Sequence, residues 1–313
     1  MKEEYMKRFK ILAGSLALLA FFENLRELHG FQVTEYAIAS EKLADLKEEA
    51  KILFLSDLHN HRYGKENEWL LAAVRKTAPD LILIGGDMLV GKNGHPVGPA
   101  LEFVKKLPSI APVYYANGNH EQRMKEHPDR YEESYFEYKE ALEDAGAVFL
   151  ENQTVECPLK GAGLRLTGLE IPMDGYTRFH KRELEQSEIK ERIGACDTKE
   201  FSILLAHNPS YIEEYARWGA DLILSGHFHG GLVRLPGIGA VLSPSFQLFP
   251  PYSGGRYREG NQEIIVSRGL GTHTFHIRLG NPAEAVLLRL RGTSRDCDGK
   301  ASGNTCAKGE NPV

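Results

Sequence analysis

The chain has 313 residues and a formal net charge of −5, with 43 acidic against 38 basic side chains, so no overall basic field recommends long nucleic acid as a partner. Hydrophobic residues make up 42% and charged residues 26%, which is ordinary for a folded soluble body with a sizeable core. The cysteines, Cys157, Cys196, Cys297 and Cys306, form no CxxC pair, which speaks against a thiolate zinc site or a disulfide scaffold.

The amino terminus differs from the rest. Lys2, Lys7, Arg8 and Lys10 precede the apolar run ILAGSLALLAFF, which Glu23 ends. A membrane span needs roughly 20 apolar residues, and the following FFENLRELHG offers no small-x-small cleavage site. Residues 1–30 are therefore expected to form an uncleaved signal-anchor or an interfacial helix. Such a segment places the protein at a membrane, and the positive-inside bias sets the folded body outside the cytoplasm. An amphipathic helix packed on the protein's own surface is the alternative. Residues 31–291 are expected to form the body. Residues 292–313, at the end of a tail from Arg291 with almost no apolar side chains, are expected to be disordered.

Along the body, FQVTEYAIAS alternates as a strand should, and KILFLSD carries a second strand into Asp57. A helix is expected over residues 65–77, then a strand in DLILIGGD, a helix over 97–107 and a strand leading into GNH. Further on, a polar helix is expected over 129–145, strands in AVFL and LRLTGLE, and a charged helix over 180–193. FSILLAHNP and DLILSGHFHGG are two more buried strands, each ending in histidine. Glycine, proline and aromatic residues then dominate 235–257, which reads as loops and short strands, before the closing strands EIIVSRGLG and AEAVLLRL. Apolar strands alternating with helices predict an α/β body whose sheets are buried on both faces. In such sheets the functional crevice lies outside the carboxyl ends of the strands.

Those ends carry Asp57 and His59, Asp87, Asn119 and His120, His207, and His227 with His229. Taken singly, each is more often a capping residue than a ligand. Gathered near an apolar core they are costly, unless a cation neutralises the carboxylates and uses the imidazole lone pairs. Their order, D-x-H, G-D, G-N-H-E, a single H and then G-H-x-H, resembles the calcineurin-like metallophosphoesterase superfamily over residues 51–290.

The resemblance implies two facing mixed β-sheets flanked by helices, a four-layer sandwich with a dimetal site at the strand ends. It implies one metal among Asp57, His59, Asp87 and His229 and another among Asp87, Asn119, His207 and His227, with Asp87 shared; spacing alone shows only that both imidazoles of the GHFH pair reach the same edge. It also implies hydroxide held between two divalent ions attacking phosphorus, His120 serving the leaving group, and Glu121 supporting His120. Nitrogen and oxygen ligation without thiolate suits Mn²⁺, Fe, Co²⁺ or Zn²⁺, with manganese favoured. Gly226, Gly230 and Gly231 are expected to admit close backbone approach.

The carboxyl-terminal blocks RLPGIGAVLSP, FPPYSGGRY, VSRGLGT and IRLGNPAEAVLLRL are similar to the bacterial membrane-anchored branch, which includes a cell-envelope phosphoesterase and enzymes like UDP-2,3-diacylglucosamine pyrophosphatase. That similarity implies phosphodiester or pyrophosphate substrates, including lipid-linked ones. A cyclic-nucleotide or broad phosphodiesterase, or a catalytically silent scaffold of the same fold, is the alternative; scaffolds of this kind lose ligand positions, and here all are filled. His61, Asn60 and Arg123 are read as rim residues, His273 and His276 as surface or loop histidines, and Asp174 and Arg178 as part of a loop near the cleft.

Overall fold

The structure, a computed structural model, describes residues 1–132, 134–177, 182–244, 246–272 and 275–293. One six-stranded sheet is formed by β1 (Phe31–Ser40), β2 (Ala50–Leu55), β3 (Leu81–Ile84), β4 (Val113–Tyr115), β5 (Ala147–Phe149) and β14 (Ala283–Gly292), in the order β1-β14-β2-β3-β4-β5. The other contains β6 (Gln153–Leu159), β7 (Ala162–Leu169), β8 (Phe201–Ala206), β9 (Leu222–Ser225), β12 (Gly255–Glu259) and β13 (Gln262–Val266), in the order β12-β13-β9-β8-β7-β6. A small hairpin, β10 (Val233–Leu235) and β11 (Gly239–Leu242), stands apart.

Strand periodicity explains the layers, because successive side chains in a strand point to opposite faces. Ile52 and Phe54 of β2 and Leu81 and Leu83 of β3 face inward and meet Leu164, Leu166, Ile203, Leu205, Leu222 and Leu224 of the second sheet. Their neighbours Leu53, Leu55, Ile82 and Ile84 face outward onto helices α2 (Glu68–Thr77), α3 (Gly98–Val104), α4 (Asn119–Glu126) and α5 (Ser134–Asp144). Leu204, Ile223 and Ile264 pack outward on α6 (Gln186–Ile193) and α7 (Ile212–Trp218). Four layers result, and burial on both faces is why these strands read as unbroken apolar runs.

In the first sheet β2, β3 and β4 run parallel, and in the second β8 and β9 do. Parallel strands deliver their carboxyl ends to one edge of a sheet, and the two facing sheets bring both edges together.

Several expected boundaries move. The helix expected from residue 129 starts at Ser134, after a separate 3₁₀ turn at Pro128–Arg130. The one expected from residue 180 starts at Gln186, because Glu185 is extended (φ −82°, ψ 152°). Residues 97–107 give α3 and then a 3₁₀ turn at Leu107–Ser109, which Pro108 fits at its start. Arg291 and Gly292, expected to open the tail, are ordered instead: they pair with Ala39 and Ser40 in β14, and Arg291 donates to Glu49 at 2.6 Å. Residues 294–313 of the expected disordered tail lie outside the described residues.

The amino-terminal segment is one helix, α1 (Lys2–His29). No helix among the described residues is long and apolar enough to cross a membrane, so the signal-anchor expectation has no spanning helix behind it. Its apolar stretch leaves Phe9, Leu12, Leu16, Leu19 and Phe22 exposed. Its last turns are docked instead: Glu27, 2% exposed, accepts the Asn281 N–H at 2.9 Å, and Asn24 accepts the Arg278 N–H at 2.8 Å.

Candidate metal centre

Asp57 lies just past β2, Asp87 past β3, Asn119 at the first turn of α4, His207 directly after β8, and His227 and His229 past β9. Five of the expected ligands hold left-handed backbone: Asp57 (φ 54°), His59 (48°), Asp87 (54°), His227 (67°) and His229 (51°). For residues with a Cβ this conformation costs about 1–3 kcal/mol and persists where the surroundings enforce it, commonly at functional sites. Here the enforcement is a backbone lacing between loops, with Asp57 N–H on Gly86 O at 2.9 Å and His59 N–H on Asp87 O at 3.0 Å. Glycine leaves the room: a Cβ on Gly226 would lie 2.2 Å from Asp57 Oδ2.

The side chains converge in overlapping groups, Asp57–His59–His229, His59–Asp87–His120 and Asp87–His207–His227, whose ligand atoms lie within 4.8 Å of one another. Asp87 Oδ2 sits between them, 3.1 Å from His207 Nε2, 3.7 Å from His59 Nε2 and 3.9 Å from His120 Nε2. Asp57 Oδ1 lies 3.4 Å from His229 Nε2. The donor set fits divalent cations on three grounds. Asp57 Oδ2 and Asn119 Oδ1 are buried without a hydrogen-bond partner, which a buried oxygen rarely is. His59 Nε2 and His229 Nε2 lie 3.1 Å apart, close enough for both nitrogens to serve a single cation. His207 and His229 commit Nδ1 to the carbonyls of Gly85 (2.6 Å) and Gly271 (2.9 Å), so Nδ1 carries the proton and Nε2 presents its lone pair.

The electrostatics point the same way. Burial pushes the Asp57 carboxyl up to about 6. Burial also opposes charge on Asp87, but the imidazoles of His207, His120 and His59 outweigh it and hold that carboxyl well below its ordinary range. Burial favours neutral His207, yet Asp87 and Asp57 overcome it and push His207 up to about 10. The two carboxylates draw positive charge to that nitrogen, whether a proton or a metal cation.

Asn119 and His120 open α4, with the His120 N–H on Asp87 Oδ1 at 2.9 Å. The His120 Nδ1 accepts the Gly91 N–H at 2.8 Å, which leaves the neutral ring's proton on Nε2. Glu121 departs from expectation, since its carboxylate is turned to the Asp87 loop. It receives hydrogen bonds from the N–H groups of Asp87 (2.8 Å), Met88 (2.9 Å) and Gly118 (3.1 Å) and from Tyr115 OH (2.7 Å). Burial, then the charge of Asp87, pushes Glu121 up to about 7. Its place is beneath the Asp87 loop, because neighbouring helical residues point in different directions.

Asn281 and Arg278 escaped sequence reading. The fully buried Asn281 donates to the carbonyls of His229 and Gly231, each at 2.7 Å. Arg278, also buried, donates to the Gly271 carbonyl at 2.9 Å, the same oxygen that orients His229. Both lie in IRLGNP, whose only sequence signal was an arginine and an asparagine in an otherwise apolar block. Tyr176 was also missed; its ring stands 5.1 Å from that of His227.

His61 is half-buried against the Tyr63 ring, and burial lowers it to about 4. Asn60 donates to the Pro96 carbonyl at 3.0 Å. His276 is joined to Thr272 at 2.8 Å, and Asp174 pairs with Arg182 at 3.3 Å. His273 and Arg178 lie outside the described residues. Asn119, His120 and His227 border an open cleft of about 730 Å³.

A profile of the calcineurin-like phosphoesterase family matches residues 50–231, which takes in every one of the converging side chains. The chain belongs to the calcineurin-like phosphoesterase family. It is 29% identical over 244 residues to the uncharacterized protein YpbG of Bacillus subtilis, covering 77% of this chain and 81% of that one. It is 26% identical over 281 residues to the uncharacterized metallophosphoesterase YkoQ of Bacillus subtilis (88% and 98% covered). It is 27% identical over 290 residues to the phosphodiesterase YaeI of Escherichia coli (91% and 99% covered). This calcineurin-like phosphoesterase is accordingly a phosphoric ester hydrolase with a candidate metal site.

Proposed function

We propose that the protein hydrolyses phosphodiester or pyrophosphate bonds at a centre holding two divalent cations. Asp57, His59 and His229 with Asp87 would hold one ion, and Asp87, Asn119, His207 and His227 the other. When bound, such ions supply charge neutralisation at the phosphoryl oxygens and an activated water. The observation that carries the reading is the convergence of these side chains on Asp87 Oδ2, with buried oxygens left for a cation.

The chain's own residues do the remaining work. His120, its proton fixed on Nε2 by the Gly91 N–H, stands at the cleft wall and can offer that N–H as a hydrogen bond to the charge growing on the departing oxygen. Glu121 stiffens the Asp87 loop from below. Tyr176, whose hydroxyl burial keeps protonated, also lines the cleft and can act as a hydrogen-bond donor. Phosphoryl transfer depends on positioning and charge, so no serine or cysteine nucleophile is called for. The name of YaeI supports the diester preference.

Association with lipid belongs to the same proposal. The exposed apolar side chains of α1, and separately the exposed Phe246, Leu248 and Phe249 that follow the cleft residue Pro244 in sequence, offer apolar surface suited to an acyl chain or a bilayer interface. The test is turnover by the full chain with Mn²⁺ on bis(p-nitrophenyl) phosphate against p-nitrophenyl phosphate. Diester turnover should exceed monoester turnover, and Asp87→Asn should abolish it together with metal content. Wild-type rates in that variant would refute the shared-ligand role.

A further inference from the structure

The cleft beside the candidate metal centre is one-sided in charge. Lys92, His95, Arg123 and Arg130 line it, and among the described residues no aspartate or glutamate does, although the chain as a whole is acidic. Arg123 follows Asn119 by four residues on α4, one turn and about 6 Å along the helix, and so shares its face. Arg130 comes from the 3₁₀ turn after α4, where its guanidinium stacks 5.6 Å from the centre of the Tyr131 ring. Lys92 comes from the loop after β3.

Among the described residues no ion pair joins Lys92, Arg123 or Arg130 to a carboxylate. Elsewhere arginines are paired: Arg62 with Glu102, Arg165 with Glu156, Arg182 with Glu188 and Arg289 with Glu35. Charges gathered on a concave wall and left without counter-charges raise the local concentration of an anion, and guanidinium groups match the oxygens of a phosphate ester.

We infer that this wall is a subsite for a second phosphoryl group, so that the preferred substrate is a phosphodiester or pyrophosphate carrying a further phosphate ester near the bond that is cut. The inference rests on the phosphoesterase reading for its cleaved bond, and on the cleft alone for its second anion. It narrows the substrate class beyond simple diesters.

The test compares the full-length, Mn²⁺-loaded protein with its Arg123→Gln/Arg130→Gln double variant on two substrate pairs. One pair is a nucleoside 5′-(p-nitrophenyl phosphate) with and without a 3′-phosphate; the other is glycerophosphoinositol with and without a ring phosphate. The wild type should prefer the phosphorylated member of at least one pair by about tenfold or more in kcat/KM, and the pair showing it identifies a nucleotide or a lipid-headgroup source. The double variant should lose that preference while keeping its metal content. No preference in the wild type, or a preference surviving in the variant, overturns the subsite. Absence of cation-dependent turnover on every compound would instead sink the phosphoesterase reading. In that case calorimetric binding of inorganic pyrophosphate decides: a loss of about tenfold or more in the variant supports the subsite, and equal binding overturns it.

Discussion

Asn281→Ala tests whether the docking of α1 and the placement of His229 are one device. The Asn281 amide donates to two buried carbonyls, those of His229 and Gly231, while its backbone N–H is held by Glu27. Truncation leaves both carbonyls without a donor in a site closed to water, at about 1–3 kcal/mol each, or about 2–6 kcal/mol together. That is a large share of a domain's usual stability of roughly 5–15 kcal/mol. It should therefore show as a lower urea midpoint at unchanged slope. The same change frees the backbone on which His229 is carried, and loss of an outer-shell partner of this kind typically costs about 10–100-fold in metal affinity. Urea titration and elemental analysis, each with and without added Mn²⁺, read the two effects separately. Asn281→Asp is the companion variant: it keeps the size and removes the donors, so it should fall with alanine. A wild-type urea midpoint together with two metals per chain in Asn281→Ala would refute the reasoning, and a low midpoint with intact metal binding would separate stability from the site.

Three further outcomes follow from the same geometry. Gly226→Ala drives a Cβ to within 2.2 Å of Asp57 Oδ2, and is expected to lower metal content and turnover while far-ultraviolet circular dichroism stays unchanged. His120→Asn should retain metal by elemental analysis yet slow kcat by about 10²–10⁴-fold on a substrate with a poor leaving group. Deleting residues 2–22 spares Asn24 and Glu27 and should leave hydrolysis of a soluble diester intact, whereas deleting 2–29 removes their bonds to Arg278 and Asn281 and should lower metal occupancy.

What the sequence disclosed and what it hid divide along a physical line. Asp57, Asp87, His207 and the His227–His229 pair were legible because each ends an apolar strand, and a parallel sheet must bring such ends to one edge. Their distances to Asp87 Oδ2 are the consequence. The helix starts at Ser134 and Gln186 were misplaced because polarity alone runs on ahead of each, while the backbone turns at Pro128–Arg130 and is extended at Glu185. Glu121 was misread because adjacency in sequence is not adjacency on a helix: successive residues diverge by about 100°, so His120 faces the cleft while Glu121 reaches under the loop. Asn281 and Arg278 hold His229 through main-chain carbonyls, which every residue possesses, so nothing in the HFHGG motif names its partner. Glu27 is the sharpest case: its sequence context is a charged helix end, yet folding brings it to an amide more than 250 residues away and buries it. The centre thus depends on an element that reads as an appendage. A soluble fragment cut after the first 29 residues is accordingly expected to be a poorer metal-binding protein than the full chain.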